Sequence, residues 1–386
     1  MCQASDVLRR ATPTDAPTAA PGPTRLPFRS GANERLILLG TAGASNPKAT
    51  RGGYSNAIVV GEVAYIVDCG ESVHRHAWQS GISMHPDRRP KGGSTVRSIF
   101  ITHLHSDHVI DYINMLLGFW PTQRVDVFGP GEAGLPIAPY PADRTVPLLF
   151  PDAPTPGIRG LTDKLFQAFA YNINVRIADE ARSDVTANVF VNEIGVAHGG
   201  YVPDIDLGVE ASGASMATAA PDMAPVEISP LDDNGVRVTA ILVQHAPVFP
   251  AFAYRFDTPS GSVVFSGDTG PCDNVVRLAE GADYLVHEVI DLDFVRARVA
   301  KLPNRDNIIN HLTESHTSPE DAGRIASRAG VKTLVLSHLV PGDSEIPEEQ
   351  WEARARSTFD GDVVCGVDLD QFSLCPATTE TTRAPA

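Results

Sequence analysis

A chain of 386 residues, 42% hydrophobic and 20% charged, has globular composition and can bury a core, which excludes disorder for its bulk. With 31 basic against 47 acidic residues the formal net charge is −16, a balance that repels phosphate backbones unless the basic residues cluster, and so argues against nucleic acid as a partner. No run approaches the ~18 consecutive apolar residues of a membrane span, which excludes a membrane partner.

Residues 1–33 hold five prolines among Thr, Ala and Gly without an apolar period, which predicts a loosely docked N-terminal arm. No apolar stretch follows the charges of MCQASDVLRR, so no secretory signal is visible and a cytoplasmic location is expected. The ordered domain is expected over 34–376, with a short tail at 377–386. RLILLG from Arg35 is a strand ended by the glycine turn GTAGASNP. That turn lacks the Gly-Lys-Ser/Thr and Gly-x-Gly-x-x-Gly spacings of nucleotide loops. NAIVVGEVAYIVDCG reads as a hairpin about Gly61-Glu62. SIFITHLHSDH is a strand entering a polar loop, VIDYINMLLGFW has helical spacing, and VDVFGPG is a strand and turn.

Between 131 and 231 the texture changes: eleven prolines, and 13 acidic against 5 basic residues, 5 − 13 = −8. The stretch is read as an insertion or cap holding one helix, LTDKLFQAFAYNINVRIADEA, a strand in NVFVNEIGVA, and an exposed loop at 211–225. Regularity returns with VRVTAILVQH, a hairpin in FAYRFDTPSGSVVFSGD turning at Thr258 to Gly261, and the strand DYLVHEVID. SPEDAGRIASRAG is a signalled helix, with Ser318 as N-cap, Pro319 first and Gly330 as stop. VKTLVLSH is a last buried strand. The five cysteines are scattered and form no Cys-x-x-Cys, which argues against a disulfide framework or a cysteine zinc site. Strands and hairpins first, then helices flanking more strands, predict an α/β fold of two sheets covered by helices.

The chemistry concentrates at Thr-His-Leu-His-Ser-Asp-His, residues 102–108. His is only 12 of 386 residues, yet three fall within these six positions from 103 to 108. His103 and His105 are two apart, so an extended strand end points both imidazoles to one face. Asp107 and His108 follow in a loop that can aim them nearby. Four ligand-type residues exceed what one tetrahedral ion with an open position uses, so two adjacent ions are expected.

His103-x-His105-x-Asp107-His108 resembles the metal signature of the metallo-β-lactamase superfamily, and later pieces fall in that family's order. His245 in ILVQHAPV, Asp268 in FSGDTG and His338 in LVLSHLVP resemble its third to fifth motifs. Asp68 in IVDCGES resembles an early aspartate that supports the ligands rather than binding metal. The resemblance implies an αββα sandwich of two mixed sheets flanked by helices, here with an inserted cap region at 131–231. It implies one metal on His103, His105 and His245, and a second on Asp107, His108 and His338, with Asp268 bridging. Two zinc ions suit this donor set, and manganese or iron would also fit it. The implied activity is a metal-dependent hydrolase whose nucleophile is a hydroxide bridging the metals, with Asp107 orienting it. A non-catalytic metal module would need a missing ligand, and none is missing. A di-iron redox protein would place a glutamate within the second motif, where this chain has Asp107.

LVHEVID, NHLTESHTSPEDAGRIA and LVLSHLVP resemble the ribonuclease Z and arylsulfatase-like branch. There a histidine of a His-Ser/Thr motif donates a proton to the leaving group. It maps to His316, with Glu288 holding it; His311, five residues earlier, competes for the assignment. Ribonuclease Z chains carry a long Gly-Pro-rich arm that grips RNA, commonly between the hairpin strands before Gly-Asp-Thr, and here only DTPSG joins those strands. The 131–231 stretch is acidic, whereas an RNA-holding element should be basic. The expectation is therefore hydrolysis of an ester-type bond in a small, aromatic molecule: an aryl sulfate, lactone, lactam or phosphodiester. Phe119, Trp120, Phe166, Phe169, Tyr171, Phe249 and Phe252 are candidates to wall its pocket. The alternative is a ribonuclease Z-like endonuclease acting on precursor tRNA 3′ ends. A homodimer is compatible with the sequence.

Overall fold

The computed structural model describes residues 34–374 except 89–91, 135–138, 142, 210–222, 231 and 344. The expected arm at 1–33, the tail at 377–386 and most of the 211–225 loop lie outside the described residues.

Short apolar runs buried on both faces build most of the first sheet. Its members are β1 (Glu34–Gly40), β2 (Ser55–Val60), β3 (Val63–Val67), β4 (Ile82–Ser83), β5 (Ser94–Phe100), β6 (Val125–Pro130), β7 (Val189–Gly195) and β8 (Ile205–Asp206). The second sheet holds β9 (Val226–Ser229), β10 (Arg237–Leu242), β11 (Phe252–Thr258), β12 (Gly261–Phe265), β13 (Tyr284–Ile290), β14 (Thr333–Val340) and β15 (Asp362–Cys365). β16 (Gln371–Ser373) returns to pair with β1. The orders are β16-β1-β2-β3-β5-β6-β7-β8, with β4 beside β5, and β15-β14-β13-β12-β11-β10-β9. Both expected hairpins form, Val60 opposite Val63 and Thr258 opposite Gly261.

Leu36, Leu38, Ile58 and Phe100 point between the sheets, while Ile37, Leu39, Val59 and Ile99 point to the outer face, the period-two signature of a sheet buried on both sides. Phe100 sits edge-on to Phe256 at 5.1 Å and to Tyr254 at 5.7 Å, closing the layer between the sheets.

Helices cover both outsides. They are α1 (Val73–Gln79), α2 (Ser106–Val109), α3 (Tyr112–Phe119), α4 (Ile158–Ala168), α5 (Ala170–Glu180), α6 (Asp273–Leu278), α7 (Leu292–Val299), α8 (Arg305–Ser315), α9 (Pro319–Ala329) and α10 (Glu348–Arg356). α9 starts as expected: Ser318 Oγ accepts from Asp321 N at 3.1 Å, and Gly330 closes it at φ 64°. The stretch read as one helix at 161–181 is two, broken at Phe169 (φ −98°, ψ 13°). The proline-rich stretch does more than cap. β7 and β8 extend the first sheet, β9 edges the second, and α4 packs Ile158, Leu161 and Leu165 on the outer core. No helix among the described residues is long and apolar enough to cross a membrane. Cys69, Cys272 and Cys365 are free thiols.

Parallel pairing gives the sandwich its polarity. β3, β5, β6 and β7 run parallel in the first sheet, and β12, β13, β14 and β15 in the second. Loops at the carboxyl ends of such strands are where open α/β sheets gather functional groups, and the histidines fall there.

Candidate metal centre and active site

β5 delivers the histidine motif. After Phe100 the chain bends at Thr102, and His105 is extended (φ −65°, ψ 150°) before the turn into α2, so Asp107 and His108 come from a helical turn following the strand end. From the second sheet, His245 follows β10, Asp268 follows β12 and His338 lies within β14. Glu288 pairs with Ser337 and Val289 with Leu339, which leaves His338 as an extra residue at φ 47°. Such a bulge re-aims a side chain, and it swings this imidazole inward. Gly43 makes room, since a Cβ there would stand 2.4 Å from His338 Nδ1.

All seven expected metal residues meet. The donor atoms of His103, His105, His245 and Asp268 form one group, and those of Asp107, His108, Asp268 and His338 a second, each within 4.8 Å. Asp268 is common to both. Its Oδ1 faces His338 Nε2 at 3.2 Å and His108 Nε2 at 3.3 Å; its Oδ2 faces His103 Nε2 at 3.8 Å and His245 Nε2 at 4.0 Å. His105 Nδ1 lies 3.2 Å from His245 Nε2, and Asp107 Oδ2 3.4 Å from His338 Nε2. A tetrahedral ion with bonds of about 2.0–2.1 Å sets its ligand atoms roughly 3.3–3.4 Å apart, close to the four spacings of 3.2–3.4 Å, while His103 and His245 stand wider of Asp268 at 3.8 and 4.0 Å. His103 Nε2, His108 Nε2 and Asp268 Oδ1 are buried with no hydrogen-bond partner among the described residues. Buried polar atoms are seldom left so; His103 belongs to the first donor group, His108 to the second and Asp268 to both, as ligands of two adjacent ions would. The residues fit a dinuclear centre.

The far side of two of these rings, His108 and His245, is held by the protein, whereas His338 Nδ1 has no hydrogen-bond partner among the described residues. Asp68, at φ 61° after β3, receives Thr102 N at 2.7 Å and Thr102 Oγ1 at 2.8 Å, and faces His108 Nδ1 at 2.9 Å. His245 Nδ1 meets the Ser315 carbonyl at 3.0 Å. Such partners fix the tautomer and leave Nε2 free to bind. Burial holds His103 and His245 well below the ordinary histidine range and lowers His105, so all three are neutral, as ligands must be. For Asp268, burial opposes ionisation, but His338 and His108 outweigh it and hold the carboxylate charged.

Beside this group stands the expected donor pair. His316, buried at the end of α8, places Nδ1 2.9 Å from Glu288 Oε1, which also accepts Thr269 N at 3.0 Å. Burial disfavours the imidazolium, yet the Glu288 carboxylate prevails and pushes His316 up to about 9. Its ring centroid is 5.3 Å from that of His245. His311 is also drawn in, 6.2 Å from His105 and 6.0 Å from His316, but burial pulls it down to about 4. Of the two, His316 has the carboxylate.

Sequence reasoning missed Tyr54, whose buried ring packs 5.3 Å from His108 and 5.4 Å from His338, a core position that no motif marks. It also missed Ser45, whose Oγ donates to Asp107 Oδ1 at 3.2 Å, on the glycine turn after β1. A depression of about 390 Å³ opens beside Asp107, lined among others by Ser45, Lys48, Arg51 and Glu71. None of the aromatics expected to wall a pocket lines it. Phe252 and Trp120 are core, Phe119 packs on His74, and Phe169 and Tyr171 are exposed on the α4–α5 pair.

Comparison with known proteins agrees with this geometry. A sequence-family model described as "Metallo-beta-lactamase superfamily" matches residues 50–125, and one described as "Beta-lactamase superfamily domain" matches 204–339. A protein named ribonuclease Z from Mycobacterium tuberculosis (strain H37Rv) is 30% identical over 341 residues, covering 88% of this chain and 98% of that one. Its namesake from Mycobacterium avium (strain 104) is 32% identical over 339 residues, with 88% and 98% coverage. Among solved structures, human tRNase Z, short form, has a TM-score of 0.53 at 19% identity, covering 89% of this chain and 100% of that one. The metallo-β-lactamase fold protein YhfI from Bacillus subtilis has 0.51 at 17%, with 88% and 98% coverage; both support the fold alone. The relatives overturn one expectation. They are ribonucleases by name, so nucleic acid cannot be set aside as a partner in favour of a small aromatic molecule, and an arylsulfatase-like character finds no support. The total charge misleads because it is blind to where the basic residues sit.

Proposed function

Because this chain belongs to the metallo-β-lactamase superfamily, in its ribonuclease Z branch, and is a metal-dependent hydrolase by that membership, we propose that it is an endoribonuclease cutting one phosphodiester of precursor tRNA near the 3′ end. The observation carrying this reading is the relationship along 98% of curated ribonuclease Z chains. The site geometry supplies the means. His103, His105 and His245 would hold one divalent ion and Asp107, His108 and His338 the other, with Asp268 shared; zinc suits these donors best. Such a pair would supply hydroxide near neutral pH and draw charge from the attacked phosphoryl group.

The protein's own residues do the rest. Asp68 and the Ser315 carbonyl hold His108 and His245 in the binding tautomer. Ser45 steadies Asp107, which stands where it can accept a hydrogen bond from an attacking oxygen. Glu288 orients His316 so that its second ring nitrogen can give a proton to the departing ribose oxygen, a poor leaving group that needs one.

The test is incubation of metal-loaded protein with a precursor tRNA bearing a 3′ extension. One discrete endonucleolytic product is expected. An intact precursor, under conditions where an aryl sulfate or lactone turns over, would overturn the reading.

A further inference from the structure

On a chain of net charge −16, one face beside the centre is basic. Between Leu292 and Asn307 stand Arg296, Arg298, Lys301 and Arg305 against Asp293 and Asp306, and Glu345 pairs with Arg298, so the local balance is 4 − 3 = +1. All four cations are exposed. The underside of the α7–α8 hairpin explains why they face outward. Val295, Val299, Ile308, Ile309 and Leu312 pack on Ile290 at the end of β13, Val340 at the end of β14, and Ala44. That packing pins the hairpin to the rim carrying the metal residues.

α8 runs directly into the centre. Its last turn carries Ser315, His311 lies just before that turn, and His316 caps it. Arg305 lies six residues before His311, about 9 Å along the axis. Alongside, Asn307 Nδ2 donates to the Tyr140 carbonyl; Tyr140 is 50% exposed, and Arg144, exposed too, follows four residues on with its N donating to the Pro141 carbonyl at 3.0 Å. The surface pairs Arg296–Asp293 and Arg305–Asp306 at 3.2 Å, and Arg298–Glu345 at 3.8 Å, are the kind of exposed contacts worth little and readily exchanged.

We infer that this face, the α7–α8 cations with Tyr140 and Arg144, is a binding track for single-stranded RNA leading to the metal centre. Cations spaced along a path track phosphates, and an exposed ring offers a base a sequence-tolerant stacking platform. The inference rests on the proposed RNA substrate but is tested by binding, which needs no turnover.

The probe is a fluorescein-labelled, unstructured RNA 12-mer, followed by anisotropy across a salt series. Arg298→Gln/Lys301→Gln/Arg305→Gln should weaken binding at least about tenfold. If each cation holds one phosphate, the slope of log K against log salt should become shallower by about 2. Tyr140→Ala should weaken binding without changing that slope. Arg324→Gln/Arg328→Gln/Lys332→Gln, which removes equal charge from exposed positions on or just beyond α9, should bind as wild type. Hydrolysis of bis-p-nitrophenyl phosphate should be unchanged in every variant. Equal weakening by both triple variants would overturn the inference, as would no weakening by the first, or wild-type binding to phosphatidylserine vesicles in place of RNA. Patch-dependent binding of the 12-mer without precursor cleavage would sink the proposed function and leave the track standing. Accurate cleavage with patch-independent binding would do the reverse.

Discussion

Asp68 supports the donor set without belonging to it, because one carboxylate receives Thr102 twice and faces His108. Asp68→Ala frees the His108 ring to rotate and to take the wrong tautomer. Loss of such a partner typically costs 10- to 100-fold in metal affinity, and chelator competition should show a fall of that size. Unchanged affinity would confine Asp68 to shaping the loop. His316→Ala should act differently, keeping metal while losing about 10²- to 10⁴-fold in rate on RNA. Bis-p-nitrophenyl phosphate, whose leaving group needs little protonation, should be nearly spared. Equal slowing of both substrates, or loss of metal, would recast His316 as a ligand or orienting group. Most of this was legible in the chain, since the residues from His103 to His108 crowd ligand types too closely for chance. Tyr54 and Ser45 were not, because each acts through a contact that only the packed structure makes.

At the scale of elements, the turn Ser266-Gly267-Asp268 determines whether the shared carboxylate arrives. Gly267 sits at φ 59°, and a Cβ on it would stand 2.5 Å from the Phe252 carbonyl oxygen. Gly267→Ala must therefore shift β11 or abandon the turn. A loss of roughly 1–3 kcal/mol is expected by denaturant unfolding, together with loss of both metals. A variant as stable as wild type would show that the turn can relax elsewhere. Elements announced by local chemistry were readable. Ser318, Pro319 and Gly330 bound α9, and the two hairpins carry their turns in view. The α4–α5 break at Phe169 was not, since neither glycine nor proline marks it. β7 was read as a strand but not as part of the first sheet, and β8 and β9 were missed, since prolines in the connecting loops mask short strands that tertiary pairing completes. The α7–α8 hairpin escaped because its apolar positions form two short runs split by Lys301 to Asp306.

Whole-molecule properties follow from sums, and sums can hide their parts. The net charge pointed away from RNA, yet Arg296, Arg298, Lys301 and Arg305 are all exposed along α7, α8 and the turn between them. A titration sum has a similar hidden member. His287, fully buried on β13, meets the Glu288 carbonyl with Nδ1 at 2.8 Å, has no described partner for Nε2, and is pulled by burial down to about 4. The unfolded value is near 6.5. Above that pH both states are neutral and the group adds no pH dependence. As pH falls from 6.5 toward 4 the unfolded chain takes its proton first, and the folded state loses up to about 3 kcal/mol. Denaturant unfolding at pH 7.5 and 4.5 should show wild type losing about 2–3 kcal/mol more than His287→Leu across that interval. Parallel losses in the two proteins would assign the acid sensitivity to other groups.

The candidate metal residues divide between the layers: His103, His105, Asp107 and His108 come from loops of the first sheet, and His245, Asp268 and His338 from the second. Neither layer alone can complete a site, so ion occupancy and separation of the sheets compete for the same side chains. Free ion at a thousandfold excess over its Kd adds about 4 kcal/mol to the folded state. Calorimetry should therefore find a melting temperature that falls with added EDTA and climbs again with zinc. A melting temperature indifferent to chelator would mean that the two layers keep their alignment unaided. If it does respond, abundance in the cell becomes a readout of metal supply. Under starvation the chain opens more often, and proteases remove it before it can idle as an empty enzyme.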